Sequence, residues 1–135
     1  MGFDFPIISE KNCGYAKKIV RIIMHAPYNS HTHELFNQLN ILKFADIYNL
    51  YLGKYMFKQL NDLLPKPLLH KYTACSNVHS HNTRCSNLLH KQSRRTVIVS
   101  NSFINRGPDY WNGLPVTLKD SSNFSKQHRL YLSNA

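Results

Sequence analysis

Residues 44–64 read FADIYNLYLGKYMFKQLNDLL, and this stretch decides the fold class. Its apolar residues recur at every third or fourth position. Because this spacing places them on one face of a helix, the stretch predicts a helix whose apolar face packs into a core. Pro65 and Pro67 follow directly and cannot continue the helix. Gly53 either weakens this helix or marks a close approach by a neighbouring group.

Three further helices are predicted from spacing and capping residues. Residues 13–26 predict an amphipathic helix with apolar residues on one side and basic residues on the other. Residues 30–39 predict a short helix with Ser30 as its N-cap. Residues 122–132 predict a last helix, capped at its first or second residue. The chain is therefore expected to be mainly helical.

The region between the long helix and the last helix carries weaker signals. Residues 96–99 are a β-branched run and predict a short strand. Gly107-Pro108 predicts a helix start, because the N–H that Pro lacks would have no partner within the helix at the first helical position. Trp111 is expected to anchor the C-terminal segments on the long helix. Since residues 73–95 show no period, the sequence predicts a mainly α, small helical domain with a long basic loop and a short β element near 96–99.

Charge is the strongest indication of a partner. The chain has 17 Lys and Arg against 7 Asp and Glu, a formal net charge of +10 at pH 7. Residues 63–108 hold seven cations and no carboxylate, which favours binding to RNA or DNA through phosphates. A solvated basic loop without a fixed partner is the alternative. The seven cations are Lys66, Lys71, Arg84, Lys91, Arg94, Arg95 and Arg106.

Several classes of protein are excluded by what the sequence lacks. It has no apolar run long enough to span a membrane, and its first residues do not resemble a signal peptide. With three cysteines, an odd number, a secreted disulfide framework is not expected, and we expect an intracellular protein, cytoplasmic or nuclear. The acids are scattered, and no phosphate-binding glycine loop or nucleophile elbow occurs. We therefore expect no catalytic residue, no enzymatic activity and no cofactor.

One cluster has the residue types of a metal site. Cys75-x3-His79-x-His81-x3-Cys85 places four potential ligands within a short segment, and four such ligands can close a tetrahedral zinc site. The short CxxC and HxxxH elements of common zinc modules are absent. A small zinc-binding module is therefore an alternative, and a polar loop without metal is the expectation.

An ordered set of motifs resembles a known family. Its elements are His81-Asn82-Thr83-Arg84, then Gly107, then Trp111-Asn112-x-Leu114-Pro115, then Phe124. This order resembles the C-terminal segment of non-LTR retrotransposon reverse transcriptases of the LINE type, similar to the jockey and CR1 groups. Lys17, Lys18 and Arg21 resemble the basic residues of a helix in that family. The resemblance covers about residues 13–132 and leaves residues 1–12 unmatched, and we expect residues 13–135 to form one post-thumb domain.

The resemblance implies an accessory segment. In such RNA-directed DNA polymerases the endonuclease and the catalytic palm lie upstream, so an upstream polymerase domain is the implied partner. No catalytic residue matches, and the implied role is to hold template RNA or target DNA, with Lys17, Lys18 and Arg21 joining the cations of residues 63–108. A basic module that binds a membrane surface or another protein through the 13–26 helix remains a further alternative.

Overall fold

The computed structural model describes residues 10–68, 72–78, 84–93 and 95–134, and the side chains from residue 13 onward. Those residues form helices and two short 3₁₀ turns, Lys66–Leu68 and Cys75–Asn77, so the prediction of a mainly helical chain is confirmed. The seven α-helices of the described part are α1 (Glu10–Ile23), α2 (Thr32–Gln38), α3 (Phe44–Leu60), α4 (Val97–Ser100), α5 (Phe103–Gly113), α6 (Val116–Lys119) and α7 (Phe124–Ser133).

The chain divides into two compact units. The first unit comprises Met1–Leu50 and Arg129–Ala135, and the second unit comprises Tyr51–His128. The boundaries fall inside α3 and α7, so each of these helices contributes residues to both units. The largest fully buried side chains belong to the second unit, namely Leu52 and Met56 of α3 and Phe124 and His128 of α7.

The first three helices end in the same way. Each is followed by a non-glycine residue in the left-handed conformation, which closes a Schellman motif. After α1, the Ala26 N–H bonds to the Arg21 carbonyl at 2.9 Å and the His25 N–H to the Ile22 carbonyl at 3.2 Å. The three left-handed residues are His25, Asn40 and Asp62, with φ of 49°, 53° and 54°. Because these motifs stop the helices, the predicted ends at residues 26, 39 and 64 are too late.

The predicted strand is wrong. Val97–Ser100 forms a helical turn, with the Ser100 N–H bonded to the Thr96 carbonyl at 3.0 Å. A β-branched run becomes a strand only where a neighbouring strand can pair with it. In the part of the chain that the structure describes, the only β pairing is a single antiparallel bridge between Ala74 and Leu89. Without a partner strand, the local helical turn forms instead.

The predicted helix start at Gly107-Pro108 is also wrong, because α5 begins at Phe103 and Pro108 lies inside it. Proline has no N–H, so the Ile104 carbonyl loses its usual helical donor. The Tyr72 hydroxyl donates to this carbonyl instead, at 3.3 Å. Burial raises the pKa of Tyr72, and the neighbouring Tyr55 raises it further. A side chain distant in sequence thus satisfies the carbonyl that an interior proline leaves free.

Two details of the first unit differ from the prediction. Ser30 is not an N-cap: its hydroxyl donates to the Pro27 carbonyl at 2.7 Å, and α2 begins two residues later, at Thr32. Among the α1 side chains that the structure describes, only Val20 is buried, whereas Ile19 and Ile23, predicted on the apolar side, are about half exposed, at 55% and 53%. The last helix agrees with the prediction, since α7 begins directly after residue 123.

Candidate nucleic-acid interface

A cluster of rings holds the second unit together. Phe124 of α7 is 2% exposed and stacks on Phe57 of α3, with ring centroids 4.8 Å apart and planes within 6°. Trp111 of α5 lies 5.5 Å from Phe124, and the buried Leu114 and Leu118 complete the cluster. The ring that stacks on α3 is therefore Phe124, and the partly buried Trp111 packs against it. Sequence reasoning gave the anchoring role to Trp111.

A buried histidine lies next to this cluster. The His128 side chain is fully buried, and its Nε2 is 2.7 Å from the Tyr110 hydroxyl, while its Nδ1 has no hydrogen-bond partner. A Cβ on Gly53 would lie 2.8 Å from Nδ1 and collide with the ring. Gly53 therefore marks a close approach, one of its two sequence interpretations. Burial, and then the positive charge of Lys54, lower the pKa of His128 from 6.5 to about 4.

Asn112 connects the backbone at Leu89, within the basic residues 63–108, to α5. Its Oδ1 accepts the Leu89 N–H at 3.0 Å, and its Nδ2 donates to the Leu89 carbonyl at 2.9 Å. Close by in sequence, the Lys91 ammonium forms an ion pair with Asp109 of α5 at 2.6 Å. Leu89 also forms the bridge with Ala74. The backbone around Leu89 is thus held on a helix by side chains, although it has no regular secondary structure.

Removing the Asn112 amide is expected to release this segment. Asn112→Ala removes two hydrogen bonds and leaves both backbone groups of Leu89 without them, which we expect to cost about 2 kcal/mol of unfolding free energy. Urea denaturation measures the loss, and hydrogen exchange of the Leu89 amide locates it. In Asn112→Asp the acceptor for the Leu89 N–H remains while the donor is lost, so Leu89 should exchange at an intermediate rate. Parent-like exchange in both variants would contradict the proposed role of this side chain.

The predicted phosphate-binding cations fall into three groups. Lys66, Arg84 and Arg95 are exposed. Lys91 and Arg106 are engaged within the second unit, the first by Asp109 and the second by the Asn101 side chain at 3.0 Å. Lys71 and Arg94 lie outside the described residues. The Lys91–Asp109 pair is the one ion pair among the described residues. Residues 63–108 contain no acid, but the fold brings one of their cations into contact with a carboxylate outside that range.

The three predicted cations of α1 lie in the first unit. Lys17 and Lys18 are exposed, whereas Arg21 is partly buried. The Arg21 guanidinium donates from Nε and Nη2 to the Ser30 carbonyl, at 3.3 and 3.2 Å. It also lies 5.6 Å from the centroid of the Tyr28 ring. Sequence reasoning missed Tyr28, because one tyrosine in a turn carries no periodic signal.

The predicted metal cluster lies only partly within the described residues. Cys75 and Cys85 are free thiols, whereas His79 and His81 fall in the segment that the structure does not describe, as do Asn82 and Thr83 of the family motif. Among the described residues, no three His, Cys, Asp or Glu side chains come together as metal ligands would. The zinc site stays a prediction.

None of the described helices has the length and apolar character needed to cross a membrane. No family model matches the chain, and comparison with characterised proteins and with solved structures finds no match either.

Proposed function

We propose that this chain is the C-terminal, non-catalytic segment of a non-LTR retrotransposon reverse transcriptase and that it binds RNA or DNA through phosphates. The support for the ancestry is that described residues of the family motif have separate structural roles. Trp111, Leu114 and Phe124 build the ring cluster, and Asn112 holds the backbone at Leu89. Gly107 is buried where an added Cβ would lie 3.3 Å from Met56 Cγ and collide with its Sδ. Residues with such structural roles are what a shared ancestral domain would retain.

The observation that carries nucleic-acid binding is the surface excess of positive charge. Lys66, Arg84 and Arg95 are exposed, and the net charge of the chain is +10. Phosphate contacts from Lys and Arg position a protein on nucleic acid without reading its sequence. Asn112 fixes the segment between Arg84 and Lys91 on α5 through Leu89. We therefore propose a non-specific accessory surface that supports an upstream polymerase domain and carries no activity of its own.

Salt dependence tests this proposal. Binding to single strands is expected to weaken with a log–log salt slope of roughly −3, if about four cations contact phosphates. Arg84→Gln with Arg95→Gln should flatten the slope by about 1.4 and weaken all sequences equally. The measurement is equilibrium binding to unrelated RNA and DNA oligonucleotides over a series of salt concentrations.

The ion pair supplies a matched control. Lys91→Gln with Asp109→Asn changes two charged groups but leaves the net charge unaltered, and Lys91 is already neutralised by Asp109 in the fold. This variant should therefore keep the parent slope. An affinity that does not change with salt, or an Arg84/Arg95 variant that binds as the parent does, would reject the phosphate surface.

A further inference from the structure

An exposed aromatic ring in the first unit lies beside a cation. Tyr28 is 77% exposed, and the Arg21 guanidinium lies 5.6 Å from its ring centroid. Arg21 is itself fixed by its two hydrogen bonds to the Ser30 carbonyl. Ser30 closes the turn around Tyr28, since its hydroxyl and its N–H both donate to the Pro27 carbonyl, at 2.7 and 3.0 Å. The ring is therefore accessible, and the turn that carries it is closed by hydrogen bonds.

The helix end next to this turn is fixed as well. The Schellman motif at His25 joins α1 to the turn through the bond from the Ala26 N–H to the Arg21 carbonyl, at 2.9 Å. Arg21 thus contributes its backbone to the helix end and its side chain to the turn. Lys17 and Lys18 precede Arg21 by four and three residues on α1, so the three cations are neighbours on the helix surface.

From this arrangement we infer that Tyr28 is a stacking site for an unpaired base of single-stranded nucleic acid, with Lys17, Lys18 and Arg21 contacting the adjoining phosphates. This inference rests on the proposed function and adds to it a preference for single strands. Every base has a π-face, so an exposed aromatic ring beside cations binds single strands with little sequence choice. Bases within a duplex are already stacked on each other and cannot use such a ring.

Oligonucleotides without bases isolate the stacking contribution. The full chain is titrated with oligothymidylate and with an abasic oligonucleotide of the same length and phosphate number. The parent should bind oligothymidylate at least about fivefold more tightly than the abasic strand. Tyr28→Leu should lose this difference while its affinity for the abasic strand stays at the parent value. Tyr28→Phe keeps the ring and should bind both strands as the parent does.

The possible results separate this inference from the proposed function. If Tyr28→Leu still prefers oligothymidylate as the parent does, or weakens binding to both strands equally, the stacking site is rejected while phosphate binding stands. If the parent binds neither strand, the proposed function itself fails. Thermal melting followed by circular dichroism controls for folding, and Tyr28→Leu should melt with the parent because its side chain is 77% exposed.

Discussion

Replacing Phe124 by alanine is expected to lower the free energy of unfolding by about 3–5 kcal/mol. Phe124 is 2% exposed, and its ring contacts those of Phe57, Trp111 and His128 at centroid distances of 4.8, 5.5 and 5.0 Å. Truncation removes the buried apolar surface and leaves a cavity that rings on three sides cannot easily fill. Urea denaturation followed by circular dichroism measures the loss.

Two further variants serve as comparisons for the stability loss of Phe124→Ala. Trp111→Ala should cost less than Phe124→Ala, because Trp111 is only partly buried. Tyr51→Ala removes an aromatic ring that is 64% exposed in the same unit, and should change stability by no more than about 0.5 kcal/mol. If Phe124→Ala unfolds at the same urea concentration as Tyr51→Ala, the ring cluster does not stabilise the protein.

The long helix and the last helix could be predicted because their signals are local. The spacing of apolar residues begins α3 at Phe44, and capping residues place the start of α7. The helix ends could not be predicted, because the left-handed residues that close them are His25, Asn40 and Asp62. Glycine is the usual residue at that position and the usual sequence signal. Pro27 and Pro65, which follow two of these motifs, mark where a helix cannot continue, which is later than where each helix ends.

Features that depend on distant residues are invisible in the sequence pattern. Pro108 lies inside α5, where the Tyr72 hydroxyl donates to the Ile104 carbonyl that the proline leaves without a helical donor; Tyr72 and Ile104 are 32 positions apart. The cations of residues 63–108 can be counted from sequence, but the pairing of Lys91 with Asp109 depends on the fold. One residue in the sequence indicated the burial of His128. This residue is Gly53, where the absence of a Cβ leaves room for the imidazole ring. That signal indicates a close neighbour without identifying it.

Acid is expected to destabilise the protein through His128, by at most about 3 kcal/mol between pH 7 and pH 4. The pKa of His128 is about 4 in the folded state, against 6.5 for a free histidine, because burial and then Lys54 disfavour its charged form. Between these two values the unfolded chain binds a proton that the folded chain does not. The contribution of His128 to the free energy of unfolding is therefore fully present above about pH 6.5 and is lost as the pH is lowered toward 4. Below pH 4 this group causes no further change.

The structure explains why the ring cannot easily accept the proton. The two sides of the imidazole are bounded by the backbone of α3 at Gly53 and by the Tyr110 hydroxyl, and Nδ1 reaches no acceptor. The urea midpoint measured at intervals from pH 7 to pH 4 should therefore decrease steadily in the parent. His128→Gln removes the titrating group, so it should be less stable at neutral pH and should lose the part of the pH dependence that comes from His128. His31→Gln, at an exposed position, should keep the parent profile, and a parent-like profile in His128→Gln would assign the acid sensitivity to another group.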